Sequence, residues 1–262
     1  MNSVLFAFLL TLLAGLSTTI GAALGVLGKS ASTKTLSIGL GFSAGVMIYV
    51  SLVEILPKGF DALSNEHGEV AGHWLGVAAF FGGIAAIGLI DRFVPDSVNP
   101  HEPASIDPDR HKHALMRTGV LTAGALALHN FPEGFATFIA ALQEPQVGIA
   151  VAVAIAIHNI PEGLAVAVPI YQATGSRRKG FLLAALSGLA EPAGALLGYF
   201  ILMPFLSDTL FGIVFAAIAG VMVFISLDEL LPAAHEFGEH HLTIYGLIAG
   251  MAVMAVSLLL FL

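Results

Sequence analysis

Two hexapeptides, HNFPEG at His129 to Gly134 and HNIPEG at His158 to Gly163, place an imidazole and a carboxylate four residues apart within apolar sequence. Residues i and i+4 of a helix share a face, so His129 with Glu133, and His158 with Glu162, point the same way. Neutral imidazole combined with carboxylate suits Zn2+, Mn2+, Fe2+, Co2+ or Cd2+, whereas Mg2+ and Ca2+ prefer oxygen alone. Asn130 and Asn159 add an amide to each group, and they fit two roles, ligand or interhelical hydrogen bond. A lone histidine in an apolar helix is commonly a packing residue; two copies of the whole motif at equal depth point to ligation. With no cysteine in the chain, Cu(I) and Fe–S sites are disfavoured.

The elements that hold these residues are helices in a membrane. Of 262 residues 57% are hydrophobic and 11% charged, far below the charge content of soluble domains. Eight apolar stretches of spanning length lie at about 4–27, 35–57, 74–95, 116–142, 146–170, 180–203, 208–231 and 242–262. The fold class expected is an all-α integral membrane protein with eight transmembrane helices, forming one polytopic domain. Between the third and fourth spans, about 96–115, lies a polar connection carrying His101, His111 and His113, with a solvated linker as the simpler reading. Glu236, Glu239, His240 and His241 form a similar cluster after the seventh span.

Nine of the ten basic residues lie in or flank odd-numbered connections, and Lys58 alone lies in an even one. The positive-inside rule then puts the odd connections in the cytoplasm and both termini outside. The formal charge of −8 argues against a nucleic-acid partner. SLVEILP (Ser51 to Pro57) resembles SLDELLP (Ser226 to Pro232), on spans of opposite sense. A 3+2+3 inverted repeat follows, a transporter signature with a substrate site near mid-membrane.

His129, His158 and Glu191, the last in LAEPAG, each lie about eleven residues into a span, about 17 Å deep. Three ionised carboxylates there, Glu133, Glu162 and Glu191, would cost about 8–10 kcal/mol. No lysine or arginine lies at that depth. Protonation, a water-filled cavity or a bound cation must offset the cost, and the histidines favour the cation. Pro132 and Pro161 leave the carbonyls of Leu128 and Ile157 without helical partners, so a kinked helix pair is expected there. Gly134 and Gly163 permit close packing. Glu54, Asp228 and Glu229 lie near span ends, where carboxylates reach water.

The two hexapeptides, the LAEPAG glutamate, SLVEILP and the eight-span layout resemble the Zrt/Irt-like (ZIP) family of divalent metal transporters, the bacterial zinc importers most of all. The resemblance implies import of divalent transition metals, Zn2+ first, into the cytoplasm across the bacterial inner (plasma) membrane, through a binuclear centre. Carried over by position, His129, Glu133, Glu162 and Glu54 hold one ion; Asn130, Asn159 and Glu191 complete the second, with Glu133 and Glu162 bridging. His158 ranks lower as a ligand. Asp228 and Glu229 would assist exit. The implied motion is of a bundle of spans 1, 4, 5 and 6 against spans 2, 3, 7 and 8. Expected partners are divalent metal ions and the lipid bilayer, with a homodimer admitted; no enzyme activity and no cofactor are expected, the metal being substrate. A passive metal channel and, more remotely, an intramembrane zinc metallohydrolase are the alternatives.

Overall fold

The structure is a computed structural model that describes residues 3–27, 33–92, 108–202, 205, 207–237 and 240–260. Helices dominate because a chain in lipid must satisfy its own backbone polar groups. They are α1 (Ser3–Leu27), α2 (Thr33–Val50), α3 (Leu56–His67), α4 (Glu69–Arg92), α5 (Pro108–Gln143), α6 (Pro145–Thr174), α7 (Arg177–Gly188), α8 (Ala190–Leu202), α9 (Asp208–Ile225), α10 (Leu231–Phe237) and α11 (His240–Leu260). Among the described residues, seven helical stretches are long and apolar enough to cross a membrane. The fourth expected span lies in α5, whose 36 residues make it the longest helix described. It starts at Pro108, inside the stretch expected as a polar connection: proline suits a first helical turn, where its missing N–H has no intrahelical partner to lose. His101 lies outside the described residues.

Two π-helical turns, Ser51–Ile55 and Ser226–Leu230, interrupt the second and seventh spans at the repeated SLVEI and SLDEL segments. Their surroundings match. The Ser51 hydroxyl donates to the Met47 carbonyl at 2.7 Å, and Ser226 to Met222 at 2.7 Å. A proline follows each turn, Pro57 and Pro232, and a wider turn accommodates a residue that cannot continue the hydrogen-bond ladder.

Helix pairing obeys the same exchange. α1 packs on α6 as α5 packs on α8, and α2 packs on α11 as α4 packs on α9. Glycines set these contacts. A Cβ on Gly21 would strike the carbonyl of Ile160, and one on Gly194 that of Phe131; Ile160 and Phe131 hold the same place in the two hexapeptides. Gly41, Gly45, Gly246 and Gly250 knit α2 to α11, and Gly83 and Gly220 knit α4 to α9. Two blocks result, α1 with α5–α8 and α2–α4 with α9–α11, which meet chiefly where α2 crosses α6.

Candidate metal centre

The first block surrounds the polar residues. Asn130, Glu133, His158, Asn159, Glu162 and Glu191 are each at most 1% exposed. α5 and α6 carry the hexapeptides and run unbroken through Pro132, Pro161 and also Pro169. The interruption in this block lies instead in the sixth span, where Leu189 separates α7 from α8 and sets Glu191 in the first turn of α8. Leu189 keeps right-handed helical angles and its N–H still reaches the Ala185 carbonyl at 3.0 Å, so the span is irregular at one residue and otherwise continuous. The hexapeptide prolines, where an opening of the backbone is expected, lie inside continuous helices, and the irregular residue of this block is Leu189, between Gly188 and Pro192.

The two asparagines serve the backbone with one end. Asn130 Nδ2 donates to the Ser187 carbonyl at 3.1 Å, beside the break, and Asn159 Nδ2 to the Ala14 carbonyl at 3.0 Å. Asn159 Nδ2 also donates to Glu191 Oε1. Hydrogen-bond glue and ligation are therefore not exclusive. The nitrogens fix the amides, while Asn130 Oδ1, Asn159 Oδ1 and Glu191 Oε2 have no hydrogen-bond partner among the described residues. Buried oxygens left in that state carry a desolvation penalty of about 1–3 kcal/mol each.

Glu133 Oε1 stands 3.4 Å from His158 Nε2, so the carboxylate of one hexapeptide faces the imidazole of the other. Ser43 Oγ, from α2, donates to Glu162 Oε1 at 3.1 Å. Glu133, Glu162 and Glu191 lie near enough to feel one another's charge. Among the described residues no three His, Asp or Glu side chains converge tightly on one point. The donors form a loose ring that includes amide oxygens. An entering divalent cation would cancel the mutual repulsion of the carboxylates and supply the missing partners.

Glu54 stands apart. It sits in the first π-turn, 23% exposed, and pairs with Lys58 Nζ at 2.6 Å. Lys58 lines a cavity of about 320 Å³ between α3, the end of α5 and the starts of α6 and α9, together with Asp61, Gln143, Glu144 and Asp208. Asp228 and Glu229 lie in the second π-turn. The side chains of His129, His111, His113 and Glu236, and the whole of Glu239, lie outside the described residues; His240 Nδ1 contacts His235 Nε2 at 2.9 Å on the exposed face.

Ser43 escaped sequence reading, because a serine in an apolar span carries no signal of its own. A second repeat escaped too, although it is legible: LAGLSTTIGAALG (Leu13 to Gly25) in α1 matches LSGLAEPAGALLG (Leu186 to Gly198) across the α7–α8 break, glycine for glycine at Gly15, Gly21 and Gly25.

The comparison with known proteins agrees with this architecture. A profile described as ZIP Zinc transporter matches residues 2–91 and 96–258. Proteins named Zinc transporter ZupT are similar over nearly their whole length. That of Corynebacterium glutamicum is 60% identical over 261 residues, covering 98% of this chain and 99% of its own. That of Lysinibacillus sphaericus is 59% identical over 265 residues, covering 99% and 98%. That of Clostridium perfringens is 54% identical over 278 residues, covering 100% and 98%. With spanning helices throughout and a family match along nearly the entire sequence, this chain is a multi-pass membrane transporter, not an enzyme, and belongs to the ZIP family of zinc transporters.

Proposed function

We propose that the chain imports divalent transition-metal cations, Zn2+ first and Mn2+, Fe2+, Co2+ and Cd2+ with lower preference, from outside to the cytoplasm through the buried ring on α5, α6 and α8. The observation that carries this reading is the set of uncompensated buried oxygens: the amide oxygens of Asn130 and Asn159 and one carboxylate oxygen of Glu191 lie beside Glu133, Glu162 and His158, with no lysine or arginine among them. Of the ways to offset that cost, a divalent cation fits best, because imidazole, carboxylate and amide oxygen together suit such an ion and its arrival supplies the missing partners.

In the proposed route, the acidic cavity beside Lys58 receives the hydrated ion and Glu54 takes it one turn deeper. The ring then replaces its water, with Glu133 and Glu162 bridging two ions, His129 completing one subsite, and Asn130, Asn159 and Glu191 the other. His158, held against Glu133, is a further nitrogen donor. Asp228 and Glu229 take the ion towards the exit. The basic residues of the odd connections support cytoplasmic placement of that end.

The test is uptake by purified protein in sealed vesicles, comparing Zn2+, Mn2+, Fe2+ and Cd2+. Glu133→Ala is expected to abolish uptake and His101→Ala to keep most of it; the opposite pattern moves the site to the connection. Saturable, temperature-sensitive flux is expected of a carrier. Flux at channel rates without saturation would replace the carrier by a passive channel.

A further inference from the structure

The halves of the molecule correspond closely, and one of the buried places where they differ lies at the centre. In the second repeat described above, α1 carries Thr18 where the α7–α8 segment carries Glu191. The surroundings of the two residues correspond. The Glu191 carbonyl would block a Cβ on Gly134, and the Thr18 carbonyl would block one on Gly163. A Cβ on Gly15 would meet Glu191 Cβ at 3.3 Å, and one on Gly188 would meet Thr18 Oγ1 at 2.8 Å. Asn130 donates to Ser187 on one side and Asn159 to Ala14 on the other. Thr18 therefore stands to the second hexapeptide as Glu191 stands to the first.

Its hydroxyl, like that of Thr137 in α5, lacks the bond its own helix offers. In an apolar helix, threonine and serine ordinarily donate to a carbonyl three or four residues back. Thr11 does so to Ala7 at 3.0 Å, Ser17 to Ala14 at 2.6 Å and Thr174 to Ile170 at 2.7 Å. Thr18 is fully buried, yet its Oγ1 has no hydrogen-bond partner among the described residues. Asn130 Oδ1 is in the same condition. By the exchange of halves it holds the place towards Thr18 that Asn159 holds towards Glu191.

We propose that the Thr18 hydroxyl is an oxygen donor to the transported cation, across the centre from Glu191. The inference rests on the transport reading above. It makes the two sides of the centre chemically unequal, with an anionic oxygen on one and a neutral hydroxyl on the other. Neutral oxygen suits Mn2+ more than it suits Zn2+, so Mn2+ loses more when it is removed.

Thr18→Val keeps the branched shape and deletes only the donor. Were Thr18 simply packed, removing an unsatisfied hydroxyl would leave zinc handling unchanged and hold or raise stability. The full chain, purified in detergent, is titrated with Zn2+ and with Mn2+, and its thermal unfolding is recorded; the same proteins are assayed for uptake in vesicles. We expect Thr18→Val to weaken Zn2+ binding by about fivefold and Mn2+ binding by about tenfold with an unfolding temperature no lower than wild type, and Thr18→Ser to stay within about twofold. Wild-type affinity for both ions in Thr18→Val overturns the proposal, as does a Thr18→Ser protein as weak as Thr18→Val. If Thr18→Val does not fold, Thr18→Ala carries the same comparison. Failure of the transport reading looks different: Glu133→Ala would then bind and move zinc as wild type does, whatever residue stands at position 18.

Discussion

Replacing Gly134 by alanine tests how tightly the centre depends on backbone contact between α5 and α8. A Cβ at this position falls inside the contact distance of the Glu191 carbonyl oxygen, carbon and Cα, all of them backbone atoms that cannot rotate away. Restoring ordinary contact requires α8 to retreat by more than about 1 Å. Overpacking of this kind costs about 1–3 kcal/mol, which in a protein of this size lowers the unfolding temperature by about 2–12 °C. The functional loss should be larger. Glu191 moves with α8 and leaves Asn159, and misplacing a binding group by about 1 Å can cost about 100-fold in rate. Gly124 on the same helix is the control, since a Cβ there meets nothing within 4 Å and is expected to be neutral or mildly stabilising. Initial zinc uptake rates in vesicles and thermal unfolding in detergent measure both effects. If Gly134→Ala unfolds and transports as Gly124→Ala does, the close approach has no bearing on the centre and the argument from glycine contacts fails.

Ser43→Ala removes the 3.1 Å hydrogen bond to Glu162; a buried carboxylate losing a donor should lower stability by about 1–2 kcal/mol, read from the unfolding curve in detergent. Glu54→Gln should raise the KM for zinc a few-fold while keeping at least about half of the maximal rate, because Glu54 is tied to Lys58 away from the buried ring; initial rates across zinc concentrations would show it, and a loss as complete as that of Glu133→Ala would place Glu54 inside the centre.

The buried carboxylates are legible in the sequence because they are costly in lipid. Glu133, Glu162 and Glu191 stand out in apolar sequence, and a fixed spacing tied each hexapeptide carboxylate to its imidazole. What the sequence did not reveal follows from tertiary context. The hexapeptide prolines, expected to open α5 and α6, sit in continuous helices. The irregular places lie ahead of Glu191 and at the two π-turns, each next to a proline but one or more residues before it. Ser43 became meaningful only when α2 was laid across α6. Position alone marks Glu54 in the sequence, and the ammonium of Lys58 one turn away is what pairs with its carboxylate. The match between α1 and α7–α8 is weak at its centre, where threonine stands for glutamate, and rests on the flanking glycines.

The carbonyl-against-glycine contacts leave each block with almost no freedom to shear. Sliding α1 along α6, or α5 along α8, by part of a turn would bring a neighbouring side chain onto a carbonyl that now rests on bare Cα hydrogens. Each block is thus a stiff plank, and any large rearrangement must concentrate at the seam where α2 crosses α6. At that seam Gly39 approaches Pro161 only at ordinary distance, and Ser43 ties one plank to the other through Glu162. An ion that draws Glu162 towards itself would loosen this fastening, so occupancy of the ring and release of the seam would be one event.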